Sequence, residues 1–167
     1  MRGRLIPRWL LVLVGVAALA TLGVAAWLWI AFPSDAEVAE ATDTAQAAAE
    51  EAIVPVLSYD ASDMGGSQES AHQFMTEDYR EESYDPLFEV LQENAPETGT
   101  VVEVEVVASG VVRSGEDRVE VLLLLDRPTT NQQRSEPVVY RDHVTATMER
   151  VDGEWLVDAL ETAPARE

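Results

Sequence analysis

The chain of 167 residues contains no cysteine and no lysine. Without cysteine there is no disulfide and no thiolate metal site, so any folded part rests on packing and hydrogen bonds. Without lysine all 11 basic residues are arginine, and they face 31 Asp and Glu. Such a deficit of positive charge argues against nucleic acid, whose phosphates need Lys and Arg to displace counterions. It argues equally against lying flat on an anionic lipid surface. Several chemical signatures are missing as well. No His-x-x-x-His, paired-Cys or Asp-rich metal spacing occurs, nor a G-x-S-x-G or glycine-rich phosphate loop, so no metal or cofactor is expected.

What is present begins with an apolar run. Trp9 to Phe32 is 24 residues with a single polar side chain, Thr21, and Arg2, Arg4 and Arg8 precede it. At ~1.5 Å per residue this spans roughly 36 Å, enough for a ~30 Å hydrocarbon core. The positive charge ahead of it keeps residues 1–8 cytoplasmic. A cleaved signal would be shorter and end in small residues; this run leaves through Trp27, Leu28, Trp29, Ile30, Phe32 and Pro33. The expectation is an uncleaved single-pass anchor over 9–32. Arg8 and Trp9 would lie at the inner interface, and Trp27, Trp29 and Phe32 at the outer one. Everything after Phe32 carries eight Arg against all 31 acids, a net formal charge of −23, and is placed outside the plasma membrane.

Residues 33–60 read as an Ala-rich helix joining membrane to core. Ser34 and Glu37 form a capping box, and Ala41, Ala45, Ala48, Ala49, Ala52, Ile53, Val56 and Leu57 recur at helical spacing. Pro55 predicts a kink or break near residues 51–55. Asp63–Ser67, with Gly65-Gly66, reads as a loop. A short helix over 67–75 follows, then a second stretch capped by Thr76 and interrupted at Pro86, where Asp85-Pro86 offers a restart as cap and first-turn proline, with Ala95-Pro96-Glu97-Thr98-Gly99 ending the helical half.

From Thr100 the period changes to two. Val102, Val104, Val106 and Ala108 begin a strand that continues through Val112; a second runs Arg118–Asp126, apolar on both faces at Val121–Leu125, so both faces are expected to be covered. A polar loop over 128–137 leads to a third strand over 138–150. The two-residue turn Asp152-Gly153 joins it to a fourth, Glu154–Leu160. Helices followed by four antiparallel strands is an α+β order, and a curved sheet folded over helices encloses a cone. The core domain closes by residue 162, with a free tail over 163–167.

Asp142 shares strand parity with Val138, Tyr140, Val144, Ala146 and Met148, which puts a carboxylate on the apolar face. It is either a cavity group, the product of a bulge or late strand start, or the partner of Arg141 or Arg118. Tyr59-Asp60 closes the first helix, and Tyr79 lies on the second helical stretch. Tyr59, Asp60, Tyr79 and Asp142 are therefore the candidate cavity polar residues. His143 has the opposite parity and should face away, and His72 sits on a short helix at the surface or core edge. No nucleophile–base pairing is visible, so no catalytic residue is assigned.

The order of motifs resembles the actinobacterial Mce-associated membrane proteins. The matching parts are the basic start and membrane helix, the Ala-rich helix ending Ile53-Val54-Pro55-Val56-Leu57-Ser58-Tyr59-Asp60, the segments Phe74–Arg80 and Val107–Val112, and the final Val151-Asp152-Gly153-Glu154-Trp155-Leu156-Val157. The resemblance implies an outer domain of the NTF2-like (SnoaL-like) cone fold. It also implies a non-catalytic accessory role beside an Mce-type lipid or sterol transporter, with Mce-type proteins or self-association as partners. Two alternatives stand beside it. One is a ligand-binding module holding a lipid-like molecule; the other is a scaffold subunit of a different envelope machine, since conjugation and secretion systems use single-pass NTF2-like subunits of this topology.

Overall fold

The structure is a computed structural model that describes residues 17–24 and 35–164. The chain divides into two units, residues 1–35 and 36–167. In the first unit, residues 17–24 are helical, and Thr21 Oγ1 donates to the carbonyls of Ala17 and Ala18 at 3.1 and 2.9 Å. Among the described residues no helix is long and apolar enough to cross a membrane. The remainder of the expected anchor, its flanking Arg8, Trp9, Trp27, Trp29 and Phe32, and the Ser34 cap lie outside the described residues.

The second unit is an α+β domain. Helix α1, Asp35–Leu57, is unbroken. Pro55 falls in its last turn, where the missing N–H removes one bond only, so the predicted break does not occur. Its buried positions are Ala41, Ala45, Ala49, Ala52, Ile53 and Val56, the face expected from spacing. Strand β1, Tyr59–Asp60, follows, then helix α2, Met64–His72.

The glycine pair expected in a loop lies in the first turn of α2. Asp63 caps that turn, its Oδ1 accepting from Gly66 N at 3.0 Å. A Cβ on Gly66 would lie 2.4–2.9 Å from the Asp63 carboxylate, so only glycine lets the cap close this tightly. Thr76 caps helix α3, Glu77–Tyr79, accepting from Tyr79 N at 3.2 Å. A π-helical turn, Arg80–Tyr84, joins α3 to α4, Asp85–Thr98. In that wide turn Asp85 N–H reaches Arg80 O, just before Pro86, which has no N–H to give. Helix α4 passes through Pro96 and ends at Gly99, whose φ of 58° is left-handed.

The sheet has six strands where about four were expected. Strands β2 (Val101–Val102) and β3 (Glu105–Arg113) both pair with β4 (Arg118–Asn131), which pairs with β5 (Arg134–Val151), which pairs with β6 (Glu154–Pro164); β1 extends the β2 end. All named pairs are antiparallel. The predicted polar loop over 128–137 is mostly strand. β4 and β5 form one long hairpin in which Thr129 pairs with Val138 and Asn131 with Arg134, because backbone pairing propagates whatever the side chains. Strand β6 runs to Pro164, two residues into the expected tail. The Asp152-Gly153 turn forms as predicted, both residues at positive φ, 52° and 91°. Register shifts at Val106/Ala108, Val111/Arg113 and Thr147/Met148 are bulges that curl the sheet.

The core lies between the helices and the concave face, where Val119, Val121, Leu123, Leu125, Val144, Ala146, Met148 and Val157 meet Ala45, Ala49, Ala52, Ile53, Tyr84 and Phe88. Alanine on α1 permits a close approach, fixed at both sides of the sheet. Gln46 Nε2 donates to Ser109 Oγ on β3 at 2.6 Å, and Trp155 Nε1 on β6 donates to Thr44 Oγ1 at 3.0 Å. The outer face, expected either to be covered by a helix or to serve as a partner or self-association face, is partly exposed within this chain. Leu123 and Leu125 are 0 % exposed, whereas Leu122 and Leu124 between them are 40 % and 38 % exposed.

Candidate functional site

At one side of the helix–sheet interface lies a cleft of about 290 Å³. Val56, Leu57, Ser58 and Tyr59 come from the end of α1 and β1, Tyr79 and Tyr84 from the α3 and π turns, and Leu87, Phe88 and Leu91 from α4. Val102, Arg127, Leu160 and Thr162 complete it from the sheet. The walls are thus aliphatic and aromatic, with three phenols and one guanidinium among them. Tyr84 stacks on Phe88 at 5.4 Å and meets His72 edge-on at 5.9 Å.

Arg127 follows Val119, Val121, Leu123 and Leu125 on the inward face of β4, and Asp142 precedes Val144, Ala146 and Met148 on the inward face of β5. Leu125 faces Asp142 and Arg127 faces Tyr140, so Arg127 and Asp142 are diagonal neighbours. They form an ion pair between Arg127 Nη2 and Asp142 Oδ2. The partner of Asp142 is therefore neither Arg141 nor Arg118. Arg141 turns outward to Asp126 at 2.8 Å, holding that carboxyl below its ordinary value, and Arg118 bridges Glu149 and Asp158. Two polar atoms of the cleft residues, Tyr84 Oη and Arg127 Nε, are shielded from solvent and have no hydrogen-bond partner.

Burial pushes the Tyr84 hydroxyl far above the ordinary phenol value, reinforced by the Asp85 charge and Tyr79. Tyr79 is raised by burial, and Tyr59 is raised by burial against the opposing pull of Arg127. All three phenols remain neutral donors at physiological pH. Asp60 is separate from this cleft. Its Oδ1 accepts from Ser62 N and Ser62 Oγ, both at 2.7 Å, in a turn that lowers its carboxyl pKa. It lines a shallower depression with Pro55, Ser58, Ser67 and Glu103. The structure thus brings Tyr59 and Tyr79 to one cleft, places Asp142 behind Arg127, and leaves Asp60 elsewhere.

Sequence reasoning missed Arg127 and Asp85 as site residues. Arg127 was open to the same parity argument that singled out Asp142. His72 is not an isolated surface group: its Nε2 lies 2.7 Å from Asp85 Oδ1, which also accepts from Gln68 Nε2 at 2.7 Å. Burial raises the Asp85 carboxyl, but these two hydrogen bonds and the His72 and Arg80 charges outweigh it and leave it below its ordinary value. A depressed carboxyl stabilises the fold above its unfolded pKa, and that contribution is lost as pH falls through the lower folded one. Asp85→Asn is therefore expected to flatten the loss of urea midpoint between about pH 5 and pH 2. An unchanged acid limb would count against this assignment. Among the described residues no group of three His, Cys, Asp or Glu could hold a metal.

No family profile matches the sequence, and no curated protein matches it. Solved structures do match. The periplasmic domain of DotI covers 80 % of this chain and 98 % of its own length, at a TM-score of 0.59 and 15 % identity. An IcmL-like type IV secretion system protein from Legionella pneumophila covers 81 % and 96 %, at 0.56 and 15 %. CagV, a VirB8 homolog of the type IV secretion system of Helicobacter pylori, covers 72 % and 99 %, at 0.55 and 10 %. The chain shares their fold. These neighbours overturn the resemblance to Mce-associated proteins, and with it the Mce partners, the lipid-transport role and the actinobacterial source. The motifs behind that resemblance are an Ala-rich packing helix, a bulged strand and an Asp-Gly hairpin. They are what a curled sheet packed on helices needs in order to fold, so they carried the fold and not the family.

Proposed function

We propose that this chain is a non-catalytic, membrane-anchored scaffold subunit of an envelope secretion machine. One observation carries the reading: 81 % of this chain matches 96 % of an IcmL-like type IV secretion system protein. The apolar run supports it from the sequence side. In this reading residues 1–8 are cytoplasmic and 9–32 span the plasma membrane between Arg8 and Trp9 on one side and Trp27, Trp29 and Phe32 on the other. Residues 33–60 lead into the domain completed by 61–162.

The face offered for assembly is the outer side of the sheet. Leu122 and Leu124 stand open there because their cross-strand neighbours on β3 are Gly110 and Ala108. Near them three acids are internally paired, Glu120 with Arg113, Glu149 with Arg118 and Asp126 with Arg141. The excess of acid is greater on the other layer, since residues 35–98 hold 17 Asp and Glu and one Arg, against 14 and seven in residues 99–167. Two copies can therefore approach sheet to sheet with less like-charge repulsion than through the helical faces. Affinity purification of the full-length protein from its own membrane should recover secretion components and a second copy. Leu122→Glu combined with Leu124→Glu should weaken self-association by more than about tenfold, since each buried Leu is worth ~1.5–3 kcal/mol. Recovery without any secretion component would refute the scaffold reading.

A further inference from the structure

We propose that the free edge of β6 at residues 160–162 takes up an extended, basic segment of a partner protein, which adds to the sheet as a further strand and lays an apolar side chain in the cleft. The inference goes beyond the scaffold role and does not rest on it. The edge comes first. β6 is the last strand of the sheet and pairs on one side with β5. Among the described residues its other side is bonded only at Val157, whose N–H donates to Phe74 O at 2.8 Å and whose carbonyl accepts from Thr76 N at 2.9 Å. Val157 thus turns its backbone away from β5, and antiparallel bonding alternates from there. Met148, level with Val157, turns to β4, so Thr147 turns to β6 and meets Ala159 across the bulge. Leu160, level with Ala146, and Thr162, level with Val144, therefore point their N–H and C=O outward. No described group bonds to either of them there. Such a row of unpaired backbone groups is a template for another strand.

The cleft lies beside that edge. The side chains of Leu160 and Thr162 line it together with Tyr79, Leu87, Phe88 and Leu91, and Leu87 and Thr162 are exposed, so it opens to solvent at the strand. Side chains of a strand alternate between faces, so every second residue of the guest points to the cleft side. Charge decides what the other residues carry. The α3 and π turns, which bring Tyr79 and Tyr84 to the cleft, also hold Glu77, Asp78, Glu81 and Glu82, all exposed, against Arg80 alone. Glu161 stands exposed on the edge itself. Arg80 pairs with Glu77 and Glu81, which leaves Asp78, Glu82 and Glu161 without a cation among the described residues. A cationic guest meets these charges, and an acidic one is repelled. The same charge argues against a second copy at this edge. The register that uses both outward residues, Leu160 against Thr162 of the other copy, sets the two Glu161 side chains opposite each other.

The test uses the full chain in nanodiscs of zwitterionic phosphatidylcholine, with empty nanodiscs as the control for peptide held by lipid. The probe is a short synthetic peptide in which arginine alternates with valine around a central leucine. Backbone amide NMR should show saturable shifts and slowed hydrogen exchange at Leu160 and Thr162. Two N-methylated versions keep its charge and side chains, one methylated on the apolar residues and one on the arginines. Only one of them turns its methyls toward β6, and it should bind more than about tenfold more weakly than the other, the worth of two hydrogen bonds. A peptide with glutamate in place of arginine should bind at least tenfold more weakly than the parent peptide, roughly the effect of reversing its charge. Thr162→Pro removes an outward N–H that the sheet does not use, so the fold should persist while the peptide weakens about 3–10-fold. The proposal is overturned by absence of saturable shifts at those two amides, by equal affinity of the two methylated peptides, by an acidic peptide that binds as tightly, or by a folded Thr162→Pro that binds like the parent. Protection of the two amides that grows with protein concentration in the absence of peptide would make the occupant a second copy, which overturns it as well.

Discussion

Leu123→Ala is expected to lower the unfolding free energy by about 2–5 kcal/mol, and Leu122→Ala by less than about 1 kcal/mol, although the two residues are adjacent and chemically identical. Leu123 is fully buried on the concave face, level with Val144 on β5 and Ser109 on β3. Truncating it removes its transfer free energy and leaves a cavity that the close-set Ala45, Ala49 and Ala52 cannot fill, since alanine has no rotamer to move. Leu122 points to the open face and is already 40 % exposed, so little burial is lost. Urea denaturation at low protein concentration measures both, and the slope with denaturant should stay constant. The contrast also tests assembly. If the cost of Leu122→Ala grows with protein concentration while that of Leu123→Ala does not, a second copy is covering the outer face. Equal costs at high dilution would mean that the outer face is buried within the single chain, contrary to the structure.

The two faces of this strand show where sequence reading reaches and where it stops. Five consecutive apolar residues, Val121–Leu125, announce a strand but do not say what lies on each side of it. The covered side could be read, because the Ala-rich face of α1 at 41, 45, 49 and 52 needs an apolar surface to pack on. The open side could not, because Gly110 and Ala108 come opposite Leu122 and Leu124 only through a register interrupted by bulges. Local punctuation misled in a consistent way. Pro55 lies in the last turn of its helix, where a kink has little chain left to redirect, and Gly65-Gly66 lies beneath an Asp63 cap. Each was read as a break because its residue type is one. The Asp152-Gly153 hairpin was legible because that dipeptide supplies both positive φ angles within two residues and needs no distant partner. The same distinction governs the site. Parity alone put Asp142 on the inner face, but its partner is set by pairing between strands, and no spacing within the sequence measures that.

That pair supplies the other large expected effect. Arg127→Met should destabilise the domain by about 1–3 kcal/mol, less than the 3–5 typical of a fully buried pair because Arg127 is partly open to solvent. The loss comes from Asp142. Its side chain is 21 % exposed, and its Oδ2 has only the Arg127 guanidinium as a partner. Without that partner a mostly buried carboxylate is left uncompensated among Leu125, Val144 and their neighbours. Asp142→Asn should cost less, about 1 kcal/mol or below, since the amide still presents an oxygen and Arg127 can turn toward water. The double variant removes both the stranded charge and its partner, so it should be more stable than Arg127→Met alone. The coupling free energy of this cycle is expected at about 1–2 kcal/mol. Arg127 also lines the cleft, whereas Asp142 stands behind it, so the cycle separates holding the guanidinium from using it. Strict additivity of the two substitutions would mean that the pair does not couple in solution.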